Sequence, residues 1–151
     1  KLVSHRRMKF YVLAITVADD TFRKDFVNKI KSKIRRSVIE EIERCRREGS
    51  KILLVTAAAD IYVPWIWQED YIATSTFGNV AHKEWRGTVK AEAERQYAEK
   101  NSLKVHTVIT DHLDDLPLLS LPDVRRILVA PSATTLAAVN FAGLFPHRII
   151  D

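Results

Sequence analysis

The chain has 151 residues, 46% of them hydrophobic, with 4 Gly, 5 Pro and a formal net charge of +5, enough to bury one sizeable core with no low-complexity tract. Its single cysteine, Cys45, excludes an intramolecular disulfide and fits a reducing cytoplasm, and no apolar run approaches the ~20 residues of a membrane span. Residues 1–47 hold 14 Lys or Arg against 6 Asp or Glu, net +8, leaving net −3 for residues 48–151; because these cations alternate with acids and lack an aromatic platform, they read as a solvated helix face, and no nucleic-acid partner is expected.

In chain order, residues 10–17 form an apolar run that periodicity does not resolve into strand or helix. Asp19-Asp20-Thr21 supplies helix-start residues, and Phe22, Phe26 and Ile30 at four-residue spacing predict an amphipathic helix over 21–32. Ser37 and Glu40 have the spacing of a capping box, so a second helix is expected to begin there, with Val38 and Ile42 inward, Cys45 half-buried and Gly49 as the stop. Residues 51–56 read as a strand closed by Thr56-Ala57-Ala58, whose hydroxyl and backbone N–H groups suit a phosphate oxygen. Trp65 and Trp67 read as helix-packing residues, 70–76 as a short strand and 77–86 as a loop or hairpin. Gly87-Thr88-Val89-Lys90 then opens a polar helix running to about Lys100.

Residues 105–109 read as a buried strand that ends in Thr110-Asp111-His112-Leu113-Asp114-Asp115, followed by Leu116-Pro117-Leu118-Leu119. Carboxylates at the carboxyl end of a strand sit where open α/β sheets bind ligands, and aspartates used as helix caps are the plainer alternative. A strand over 126–130, a Pro131-Ser132 turn, a helix over 134–142 and an edge strand over 147–150 complete the chain. The histidines at 5, 82, 106, 112 and 147 show no i, i+4 pair and no Cys partner, which argues against a zinc site. Strands alternating with helices indicate an α/β domain with a mainly parallel sheet.

Three of these stretches, taken together, resemble the haloacid dehalogenase-like hydrolases. The run from Thr110 to Leu119 is similar to the family's fourth motif, with Asp111 and Asp115 in the positions of its two aspartates and Thr110 and His112 departing from the usual Gly and Ser. Residues 52–65 resemble the second motif in the phosphoserine phosphatase-like branch, with Thr56 ending the strand. Lys90 matches the Gly-x-x-Lys lysine of the third motif, and Lys83 is the other candidate. The resemblance covers roughly residues 30–142 and implies a Rossmann-like three-layer core over 34–151 with a helical cap remnant over 1–33. It further implies a Mg2+-dependent phosphatase acting on a small phosphorylated substrate, with Asp111 and Asp115 toward the metal, and Thr56, Ala57 and Lys90 toward the phosphate.

The family's first motif, Asp-x-Asp-x-Thr, supplies the attacking aspartate, and its nearest counterpart here is Val17-Ala18-Asp19-Asp20-Thr21. Valine forms no acyl phosphate. The expectation is therefore that the nucleophile lies upstream of Lys1, in a segment that would also carry the central strand; the alternative is a catalytically dead phosphate- or metal-binding regulatory module.

Overall fold

The computed structural model describes residues 19–75 and 85–151. The run 10–17, Ala18 of the degenerate first motif, His82 and Lys83 lie outside them. The elements are α1 (Asp20–Lys31), α2 (Arg36–Arg47), β1 (Leu54–Ala59), α3 (Val63–Ile66), β2 (Tyr71–Thr74), α4 (Gly87–Lys100), β3 (Thr107–Thr110), a 3-10 turn (Leu113–Asp115), α5 (Leu116–Leu119), β4 (Arg125–Val129), α6 (Ala133–Phe141) and β5 (Arg148–Ile150).

Helix α1 begins where the acidic pair predicts: the Asp19 side chain accepts from the N–H groups of Thr21 and Phe22 at 2.9 and 3.2 Å, satisfying donors that the first turn leaves unpaired. Its inner face meets the turn after β1, with Phe26 edge-on to Tyr62 at 5.1 Å between centroids and the Arg23 guanidinium 5.1 Å above the Trp65 ring. Trp65 thus packs against a cation of another helix, while the Trp67 indole N–H donates to the Asp70 carbonyl at 3.1 Å.

The capping box expected at Ser37 does not form. The N-cap of α2 is Arg35, with no side-chain cap, and the Ser37 hydroxyl instead donates to the backbone carbonyl of Asp151. Glu40 pairs with Arg36 at 2.8 Å, so a contact with the chain's far end and a local ion pair displace the local cap. Cys45 is also more enclosed than its neighbours implied, being buried rather than half-buried.

Among the described residues all strand pairs are parallel, in two small sheets: β1 with β2, and β3–β4–β5 in that order. In the larger sheet Thr107 faces Arg125, and Ile127 faces Arg148. Side chains alternate across it, as a period of two requires. Val108 and Leu128 pack with Leu118, Leu119, Val124 and Val139, which places α5 and α6 on one side. Ile127, Val129 and Ile150 pack with Val38 of α2 on the other. The protein is thus a mixed α/β fold built on two parallel sheets.

Candidate functional site

The acidic segment after β3 folds as a tight turn whose shape comes from its own side chains. The Thr110 hydroxyl accepts from the His112 N–H at 3.2 Å, and His112 Nδ1 accepts from the Asp114 N–H at 3.1 Å, so His112 caps the 3-10 turn. This brings Asp115 back beneath the end of β3. Thr110 donates to Asp115 Oδ2 at 2.6 Å, and Lys90 Nζ lies 2.8 Å from each carboxylate oxygen. Both charged side chains are largely enclosed, at 16% and 10% exposure. Asp111, one residue past the strand, is exposed.

Two sequence-predicted residues, Lys90 and Asp115, therefore meet directly across 25 positions of chain, a pairing that spacing did not reveal. Lys90 and Thr110 take both oxygens of Asp115, whereas Asp111 is the carboxylate that a hard cation would find open to solvent. Gly87 supplies the left-handed backbone at this junction. It opens α4 at φ +53°, and a Cβ there would lie 3.9 Å from the Asp114 carbonyl oxygen, so a left-handed backbone starts the helix against the acidic turn.

Thr56 and Ala57 stand inside β1 rather than after it. The pairing slips there: Val55 faces Ile72, but the next pair is Ala59 with Thr74, four residues of one strand against two of the other. In this bulge the Thr56 hydroxyl accepts from the Ala58 N–H at 3.0 Å, and Thr74 donates to the Ala57 carbonyl at 3.0 Å. A bulge interrupts the ladder, and these two bonds give the interrupted groups partners within the chain. Among the described residues, no three His, Cys, Asp or Glu side chains gather to hold a metal ion.

Glu94, one turn beyond Lys90 on α4, is buried, and loss of hydration raises its pKa above the ordinary glutamate value. A raised folded-state pKa means that the folded chain binds this proton more tightly than the unfolded one. Its stabilising contribution is present below the unfolded value and is lost as pH rises through the folded value. Glu94→Gln should therefore raise stability at neutral pH and flatten the pH slope, checked by urea midpoints at about pH 4 and about pH 8.

The fold and site define an α/β protein of parallel strands with a largely enclosed Lys–Asp pair at the carboxyl end of one of them. No protein-family profile matches the chain, and no curated protein matches it. It is similar to a solved structure described as a protein with unknown function from Bordetella pertussis Tohama I, with 16% sequence identity and a TM-score of 0.76 over 99% of this chain and 75% of that one. At that identity the likeness concerns the fold alone.

Proposed function

We propose that the chain is the greater part of a magnesium-dependent phosphomonoester hydrolase of the haloacid dehalogenase-like superfamily, in its phosphoserine phosphatase-like branch, acting on a small phosphorylated molecule. The observation that carries this reading is the Lys90–Asp115–Thr110 cluster at the carboxyl end of β3, beside the exposed Asp111. Phosphoryl transfer asks mainly for placed positive charge, and a lysine held by a buried carboxylate is a positioned cation. On this reading the two sheets are parts of one Rossmann-like three-layer core over 34–151, and α1 belongs to a helical cap segment over 1–33.

The roles follow from these positions. Lys90 neutralises phosphoryl oxygens, and Asp115 holds its ammonium in place. Thr56 and the backbone of Ala57 hold a further phosphate oxygen from the bulge in β1. Asp111 would hold magnesium, which when bound neutralises charge on the phosphate. The covalent step needs a carboxylate that attacks phosphorus, expels the alcohol and is freed when water cleaves the acyl phosphate. Val17 cannot serve, and the proposed source is a segment additional to these 151 residues.

The test compares the 151-residue chain with one extended upstream by a segment carrying Asp-x-Asp-x-Thr, using an aryl phosphate and magnesium. The extended chain should turn over by orders of magnitude faster. In it, Asp111→Asn should weaken magnesium dependence and activity together. Strong turnover by the unextended chain, abolished by Asp19→Asn, would overturn the assignment, and no turnover by either would favour the binding-module alternative.

A further inference from the structure

The joint between α1 and α2 departs from the alternation of cations and acids that marks the basic third of the chain. Residues 26–39 hold Lys29, Lys31, Lys33, Arg35 and Arg36 and no acid. All five cations are exposed. Arg36 has Glu40 at 2.8 Å, while Lys29, Lys31, Lys33 and Arg35 have no acidic partner among the described residues. Further along α2 the pattern is different, with Arg44 paired to Glu41 and Arg46 to both Glu43 and Glu69. The backbone carbonyl of Asp151 meets the Ser37 hydroxyl beside this joint, but the Asp151 carboxylate pairs with none of the five.

Helix energetics account for only part of this placement. Lys29 and Lys31 stand in the last turn of α1, where the negative end of the helix dipole favours them. Arg35 is the N-cap of α2 and Arg36 opens it, at the end where the dipole opposes a cation and where an oxygen-bearing side chain would supply the missing cap. The joint is tight: the Lys33 N–H donates to the Ile30 carbonyl at 2.9 Å, and the Ile34 N–H to the Lys31 carbonyl at 3.2 Å. Like charges are thereby held close together at the surface. Two aliphatic side chains stand among them, Ile34 at 42% and Ile39 at 40% exposure. No aromatic residue lies within 27–39, so the surface offers no ring for a base to stack on.

The joint also has a defined place in the fold. The Ser37–Asp151 bond sets the start of α2 just past the carboxyl end of β5, and β5, β4 and β3 are parallel. The cations therefore stand on the same edge of the larger sheet as Asp111, with β5 and β3 two strand spacings, about 10 Å, apart.

We propose that residues 29–36 dock the protein on an anionic phospholipid bilayer, with the cations at the headgroups and Ile34 entering the boundary between headgroups and acyl chains. Charge complementarity selects an anionic surface, and exposed isoleucine among cations, without aromatic rings, selects a bilayer over a nucleic acid. Each Lys or Arg near such a surface strengthens binding by about fivefold, so the four cations without an acidic partner together contribute roughly several hundredfold. Docking there turns the carboxyl edge of the larger sheet toward the membrane. It stands whether or not the protein hydrolyses phosphate.

The test measures co-sedimentation of the 151-residue chain with vesicles of phosphatidylcholine containing about 30% phosphatidylserine at ~0.1 M salt. Binding should be at least about a hundredfold weaker to phosphatidylcholine alone. Lys31→Gln with Lys33→Gln should weaken binding by about 25-fold, and Ile34→Ser by about fivefold at unchanged charge. Lys100→Gln with Lys104→Gln removes the same charge near the amino end of β3 and should change binding by less than about twofold. Arg35→Asp separates docking from folding, because it should raise the urea midpoint by supplying the N-cap while weakening vesicle binding by about 25-fold. Absence of binding, equal binding to neutral vesicles, unchanged binding of Arg35→Asp, or an equal loss from the Lys100 and Lys104 pair would overturn the proposal. Binding to a single-stranded oligonucleotide but not to the vesicles would overturn it in favour of nucleic acid.

Discussion

Lys90→Ala is expected to destabilise the chain by about 2–4 kcal/mol, because it strands a nearly buried carboxylate whose other partner is one hydroxyl. From the sequence alone this lysine reads as a helix-start residue with little packing energy, and its removal would be expected to spare the fold. The geometry changes that forecast. Asp115→Ala should cost a similar amount by leaving the ammonium enclosed, and the double variant should cost clearly less than the sum. Urea midpoints of the three variants measure it, and strict additivity would dismiss the pair as a structural unit. If the proposed phosphatase reading holds, the same substitution in the chain extended by the Asp-x-Asp-x-Thr segment should also lower turnover by orders of magnitude. Lys90→Arg, which keeps the charge but changes its reach, should retain more stability than activity.

Glu41→Ala is expected to have the largest effect on folding, about 3–5 kcal/mol. Its carboxylate is almost wholly enclosed, with its side chain 2% exposed, and it joins three guanidinium groups: Arg44 on its own helix, Arg125 on β4 at 3.3 Å and Arg148 on β5 at 3.0 Å. It is the polar pin between α2 and the larger sheet, beside the apolar contact of Val38 with Ile127, Val129 and Ile150. Removing it leaves three cations together with only the more exposed Glu48, 3.5 Å from Arg125 and 4.0 Å from Arg44, to balance them, and Arg44 and Arg125 each already have a buried Nε with no hydrogen-bond partner. Glu41→Gln should cost less, since it keeps the shape and one acceptor. A denaturant series on both variants checks the order, and equal midpoints for Glu41→Ala and the parent would show that the cluster contributes nothing net.

Much of the local structure was legible because it rests on short-range rules. Asp19 starts α1 and Gly87 opens α4 as read from the sequence, and the Pro131-Ser132 turn leads into α6, where Ser132 proves to be the cap, accepting from the Thr135 N–H at 3.1 Å. The apolar runs before Thr110 and Pro131 are strands, and the alternation of strand and helix forecast the parallel pairing that both sheets have. Where a distant partner competed, the local rule lost. Ser37 has the spacing of a capping box, yet its hydroxyl goes to Asp151, because the last strand brings the carboxyl terminus beside α2. Thr56 sits within β1 because a bulge against β2 carries the strand on to Ala59, and pairing register is a property of two strands together.

The candidate site divides in the same way. The sequence by itself determined that carboxylates would collect at the carboxyl end of β3 and that Lys90 would stand on the first turn of a helix, since both follow from hydrophobic pattern and turn chemistry. Only the tertiary structure decided that Lys90 and Asp115 form one enclosed pair and that Asp111 is left exposed, because ion pairing across 25 residues depends on how α4 lies along the sheet. It also decided that the most strand-like stretch of the chain, residues 52–55, keeps a half-buried edge beside a cavity. Apolarity specifies that a strand should be covered; what covers it depends on the chain packed alongside.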